Sequence, residues 1–176
     1  GARVLAPEAM ILHSAVHLFY QEEYHHGFRD LSDLHLLFSE FGTQQTFWDA
    51  LFILAQKTGF GLELALALRY TTSLFDTPVP STGLQKSQVW LPSRPKLVVY
   101  DWVYKRVLQP HHKLCDVPGL TLANMMALIR GHWIKMPVHI LLMHTAAKGY
   151  RNVLKWVAGK GVNKPDSAKN NAPPGQ

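Results

Sequence analysis

Between Glu8 and Phe75 the apolar residues recur three and four positions apart, in four runs separated by short gaps that carry glycine or polar residues. That spacing puts each run's apolar side chains on one face of a helix, and no comparable period-two alternation competes with it. The first run, Glu8 to about Tyr24, opens on Pro7, where a missing N–H costs nothing, and buries Leu12, Ala15, Val16 and Phe19. The second, about Phe28 to Phe41, carries Leu31, Leu34 and Phe38, widened by Leu37 and Phe41, and stops at Gly42. Thr46, with Asp49 three positions on, reads as the N-cap of the third, whose stripe is Trp48, Leu51, Leu54 and Ala55, closed by Gly59. Leu62 to Phe75 is apolar on most sides, which predicts a helix surrounded by others.

The second half is less regular. Pro78, Pro80 and Gly83 mark a loop over Asp76 to Gly83, and Gln85 to Pro92 has no firm period. Ser93 is placed to cap a helix from about Pro95 to Gln109, with Val98, Trp102 and Leu108 inward. Thr121 is placed to cap another from Leu122 to about Lys135, and Pro137 kinks or restarts it on the way to Val157. Gly159 to Gln176 is rich in Gly, Pro, Asn and Lys and has no apolar period, so a disordered tail is expected over 159–176. The expected fold is therefore all-α, a bundle of six or seven helices over residues 1–158 with a disordered C-terminal tail.

Charge divides this domain. Residues 1–85 hold four Lys/Arg against nine Asp/Glu, and residues 86–176 hold fourteen against three. The acidic half is thus 1–85, and the basic half of the helical domain is 86–158. The basic part interleaves aromatic residues with charge, in Arg130, His132, Trp133 and Lys135 and again in Lys148, Tyr150, Arg151, Lys155 and Trp156. Such a face suits a polyanion, a membrane surface or an acidic partner protein, and the alternative is a solvated face with its tryptophans in the core. The one cysteine, Cys115, excludes an internal disulfide framework, and no apolar run reaches the roughly 18 residues of a membrane span. No signal sequence is visible in Gly1 to Pro7, and a cytoplasmic setting is expected.

Few residues are arranged for chemistry. His13 and His17 share a helix face and are the best metal-ligand candidates, with His25, His26 and Asp33 as third ligands. The metalloprotease pattern requires Glu after the first histidine, where Ser14 stands, and the alternative is one buried and one surface histidine. Arg29 and Asp33 are four apart and can form an ion pair bracing the first two helices, or present charge to a ligand. Gly-rich phosphate loops, Cys-x-x-Cys and Gly-x-Ser-x-Gly are absent from the sequence, as is Gly-Ser followed by Asp-x-Asp. No catalytic residue is assigned.

The segment LAPEAMILHSAVHLFYQEEYHHGFRDLSDLHLLFSEFG resembles the C-terminal helical part of an uncharacterised bacterial nucleotidyltransferase family found near polysaccharide-synthesis genes. The matching pattern is L-x-P-E, two histidines and R-D-L-x-D-L, and the last step also resembles toxin–antitoxin nucleotidyltransferases. TFWDALFILAQKTGFGLELALALRYTTSLFDTPVP is similar to the next two helices, and RGHWIKMPVHILLMHTAAKGYR to the basic end. The resemblance implies that His13, His17, Arg29, Asp30 and Asp33 lie near substrate. It also implies that Mg²⁺ and a nucleoside triphosphate belong to the full-length enzyme. The family's catalytic sheet does not lie in this sequence, so either the chain is a C-terminal part of such an enzyme or the protein has lost that half, and in both cases the chain is expected to be inactive alone. The partner would then be that catalytic domain. The Arg-Asp-x-x-x-x-His step also resembles the HEPN ribonuclease signature, which would use Arg29 and His35 on RNA. Its position near the N-terminus departs from that family, where the motif lies late in the bundle. The third reading is a binding module that docks through its basic half.

Overall fold

In the computed structural model the described residues are 5–21, 23–110 and 117–135. They are helical, with no strand among them. Helices α1 (Pro7–Tyr20), α2 (Gly27–Phe41), α3 (Gln45–Thr58) and α4 (Gly61–Phe75) follow one another through short turns. The short α5 (Ser81–Ser87) runs into a 3-10 turn (Gln88–Trp90), and α6 (Arg94–Val107) and α7 (Leu120–Lys135) complete the set. The kinked continuation to Val157 and the tail over 159–176 lie outside the described residues, as does Cys115.

The apolar stripes decide the packing. α1 packs on α2, α3 and α4, and α2 also packs on α4. Leu31, Leu34 and Phe38 of α2 are fully buried, and so are Leu51 and Ala55 of α3. α4 is central as its composition predicts, with every residue from Leu64 to Leu68 buried. α6 and α7 pair with each other, and α7 also reaches α1. An aromatic cluster helps to tie α6 to the first four helices. The Tyr104 ring stands edge-on to Phe19 (centroids 5.2 Å) and to Tyr24 (5.8 Å), and lies tilted against Tyr70 (5.5 Å) and Tyr100 (5.8 Å). Such contacts add about 0.5–1.5 kcal/mol each beyond the area they bury.

Glycine serves the packing at two of the turns. Gly59 ends α3 at φ 79°, a left-handed conformation that only glycine adopts without strain. Gly27 opens α2 where a Cβ would lie 3.2 Å from both Leu108 Cδ2 and the Val107 carbonyl oxygen, so the absence of a side chain lets α2 start against the end of α6.

Several boundaries and faces differ from the sequence expectation. α1 ends at Tyr20 and not Tyr24, although Tyr24 stays buried beyond the helix. α3 starts at Gln45, so Thr46 lies inside the helix and caps nothing; the N-cap is Gln44, without a side-chain bond. Ser81–Ser87 is helical where a loop and an aperiodic stretch were expected, because Pro80 precedes the helix and Gly83 packs inward. α7 begins at Leu120, two residues before Leu122. In α6 the inward residues are Val103, Tyr104 and Val107, with Leu108 buried just past the helix end as expected, while Val98 is 67% exposed. Val98 lies two positions from Tyr100, about 200° around the helix, and so faces away from the stripe that Tyr100 shares with Tyr104.

A bidentate ion pair clamps α4 to α6. Arg69 Nε donates to Asp101 Oδ1 at 2.8 Å, Arg69 Nη2 donates to Oδ2, and the Tyr70 hydroxyl donates to Oδ1 at 3.3 Å. The Arg69 hydrogen bonds hold the Asp101 carboxyl below its ordinary value, against the burial that raises it. A depressed acid contributes stability above its unfolded pKa of about 3.9, and that contribution is lost as pH falls through the lower folded value. Asp101→Asn is therefore expected to cost about 1–2 kcal/mol at neutral pH. In urea titrations across pH, the gap between variant and parent should be flat above about pH 5 and shrink below about pH 4. A gap independent of pH would show that the pair's charge contributes nothing.

Candidate functional site

The residues singled out in the sequence fall along the seam between α1 and α2. His13 and His17 are exposed on α1, with ring centroids 6.4 Å apart and planes 22° from parallel. His17 Nδ1 lies 3.4 Å from Gln21 Nε2, and Gln21 Nε2 donates to Asp30 Oδ2 at 2.9 Å. Asp30 Oδ1 in turn lies 3.5 Å from Arg29 Nη2. His13, His17, Asp30 and Arg29 thus form one surface run, bridged by Gln21, a residue that the spacing argument did not mark.

Arg29 does not pair with Asp33, as the four-residue spacing predicts. Its ion contact is with the adjacent Asp30, its side chain is 70% exposed, and Asp33 is exposed as well. An exposed contact at that distance braces nothing, so the proposed Arg29–Asp33 brace between helices is corrected. His35 is elsewhere. Its Nδ1 is 2.9 Å from the hydroxyl of buried Thr77, and its ring stacks on Phe75 at 5.3 Å. His25, offered as a third metal ligand, is exposed and 3.5 Å from Glu23, and His26 is exposed too. Among the described residues no three His, Cys, Asp or Glu side chains gather as a metal site.

A second site was not legible in the sequence. A groove of about 490 Å³ opens between the start of α4, the end of α1 and the α6–α7 pair. Its walls are largely apolar, with Leu62, Val103, Met126 and Ile129 among them, and Trp133 stands at the rim, 60% exposed. Two opposite charges sit on its floor. Glu63 is 5% exposed, and the Arg130 side chain is 16% exposed. Arg130 Nη1 donates to the Phe19 carbonyl oxygen at 2.6 Å, capping the end of α1, and Nε donates to the Tyr100 hydroxyl at 3.2 Å. Its guanidinium lies 5.3 Å from the centroid of the Tyr100 ring and 5.8 Å from that of Tyr104. The remaining nitrogen, Nη2, is 3.9 Å from Glu63 Oε1, an ion pair too long to be a hydrogen bond.

Burial raises the Glu63 carboxyl above its ordinary value, opposed by a backbone hydrogen bond and by Arg130. Burial also raises Tyr20, and the charge on Glu63 adds to it. Arg130 was expected on an exposed basic face with Trp133. The structure turns it inward and leaves Trp133 outward, because the unsatisfied carbonyl at the end of α1 and the tyrosine rings of α6 supply partners for a buried guanidinium. Lys148 to Trp156 lie outside the described residues.

With this geometry established, comparison with known proteins gives one similarity. Residues 1–76 match the family model described as uncharacterised nucleotidyltransferase. The match takes in α1 to α4 and every residue of the α1–α2 seam; of the groove it includes Tyr20, Leu62 and Glu63 but nothing from α6 or α7. No curated protein matches this chain, and no solved structure does. No helix among the described residues is long and apolar enough to cross a membrane.

Proposed function

We propose that this chain is a helical region of a nucleotidyltransferase-like protein and that it transfers no nucleotide by itself. The observation that carries the reading is the family match over residues 1–76. The surface run His13, His17, Asp30 and Arg29 lies wholly within the match and presents exposed imidazole and guanidinium groups, which suit a phosphate-bearing substrate. In this reading Asp33, one turn beyond Asp30, flanks the same surface run.

Nucleotide transfer of this kind uses Mg²⁺ held by clustered carboxylates. The acids described here do not fit that ion. Asp30 and Asp33 are three apart on a helix, and Asp30 is already engaged by Gln21 and Arg29. The Mg²⁺ and triphosphate sites therefore belong to a catalytic sheet outside these residues, and the bacterial, polysaccharide-cluster setting and cytoplasmic location are part of the same reading. The basic half supplies the docking surface for that sheet.

The test is incubation of the purified chain with labelled nucleoside triphosphates, Mg²⁺ and candidate acceptors. No transfer above a blank without protein is expected. Reproducible transfer that survives repurification would overturn the claim of inactivity.

A further inference from the structure

The groove floor is more selective than its apolar walls. Arg130 has spent Nη1 on the Phe19 carbonyl and Nε on the Tyr100 hydroxyl, which leaves the Nη2 hydrogens facing a carboxylate that is beyond hydrogen-bond reach. Glu63 Oε1 is an acceptor in the same position, 3.9 Å away. A donor and an acceptor thus stand side by side on a largely buried floor, too far apart to hydrogen-bond each other, with Glu63 held also by a backbone hydrogen bond. A carboxylate and a guanidinium each have more bonding positions than these contacts use, so the pair favours a ligand that bridges Nη2 and Oε1.

The charges restrict that ligand. An anion on Arg130 would bring a second negative group against Glu63, and a cation on Glu63 would meet Arg130. A neutral group avoids both penalties if it accepts from Nη2 with one atom and donates to Oε1 with its neighbour. The planar amide does this with adjacent C=O and N–H. The walls select what carries it, since Tyr20, Tyr100 and Trp133 offer aromatic surface and Ile129 an aliphatic one. The volume of about 490 Å³ is that of a small-molecule site.

We infer that the groove between α4, α6 and α7 binds a small planar ring bearing a carboxamide or lactam, with its amide edge on Arg130 and Glu63 and its ring against Trp133. This goes beyond the family match and does not depend on the chain being part of a nucleotidyltransferase.

A matched series tests it on the full chain: benzamide, benzoate, benzylamine and toluene, followed by saturation-transfer NMR on the ligand. Benzamide should bind with a Kd of about 1 mM, as its few atoms allow. Benzoate, benzylamine and toluene should each bind at least about tenfold more weakly, because each leaves a floor group unpaired or opposed. Trp133→Ala removes an exposed rim side chain, so it should keep the parent melting curve while weakening benzamide about fivefold. Equal affinity across the series would show a plain apolar cleft and overturn the inference. So would no benzamide signal at about 10 mM, or a benzamide affinity unchanged in Trp133→Ala. Nucleotide transfer is not read out, so failure here leaves the family reading standing.

Discussion

Replacing Arg130 with alanine is expected to lower stability by about 3–4 kcal/mol, because it leaves Glu63 buried without its cation. The same change removes the bonds to the Phe19 carbonyl and the Tyr100 hydroxyl and opens a void beneath the tyrosine rings. For a chain of this size the melting temperature should fall by about 10 °C. The dependence on pH separates the electrostatic part from the packing part. Burial already raises the Glu63 carboxyl, and losing Arg130 removes an influence that lowers it. A raised acid favours the folded state below its unfolded value and loses that advantage as pH rises through its folded value. The deficit of Arg130→Ala should therefore be largest at neutral pH and smaller near about pH 4, where Glu63 is protonated. Adding Glu63→Gln to Arg130→Ala should recover part of the loss at pH 7. A deficit that is the same at both pH values, with no recovery in the double variant, would show that Glu63 carries no penalty.

The first four helices were legible because each has a full apolar stripe and a glycine or proline where the chain turns. Leu31, Leu34 and Phe38 follow from spacing alone, and Gly59 ends α3 as its type predicts. Legibility fails where tertiary contact overrides local pattern. Tyr24 lies outside any helix yet is buried against Tyr104, eighty residues away, and no window of sequence contains both. α6 was found as a helix with Leu108 buried and Trp102 partly buried as expected, but Val98 was placed inward because it is as apolar as Val103 and Val107, and only the position of Phe19 and Tyr70 decides between them.

The site was legible in the same proportion. Residues close in sequence could be paired, and four of them do lie along one seam, though through Gln21 and with Arg29 on Asp30. The groove could not be found this way. Its floor joins Glu63, the third residue of α4, to Arg130 near the end of α7. One signal was available. Glu63 is the only charged residue in the otherwise apolar stretch from Gly59 to Leu68, and a charge inside a helix that reads as central must be paired. Its partner is one of the basic residues of the second half, and the charge asymmetry between the halves is partly this one interaction seen from both ends.

The turn between α2 and α3 is expected to depend on Trp48 more than on any polar contact near it. The indole is 2% exposed, lies parallel to Phe38 with centroids 5.8 Å apart, and meets Phe47 edge-on at 5.2 Å. Its Nε1 donates to the Gly42 carbonyl oxygen at 2.8 Å, while the Gly42 N–H donates to the Phe38 carbonyl at 2.8 Å. The end of α2, the turn and the start of α3 are thus locked through one side chain. Trp48→Ala empties that space and should cost about 3–5 kcal/mol in urea unfolding. Trp48→Phe keeps a ring on Phe38 and loses the hydrogen bond and part of the volume, for which about 1–2 kcal/mol is expected. The order of the two variants is the test. If Trp48→Phe were as damaging as Trp48→Ala, the bond to Gly42 and not the packed ring would be holding the corner. Losses below about 1 kcal/mol in both would mean that α3 is held by Leu51 and Ala55 against α1 and that the corner is free to rearrange.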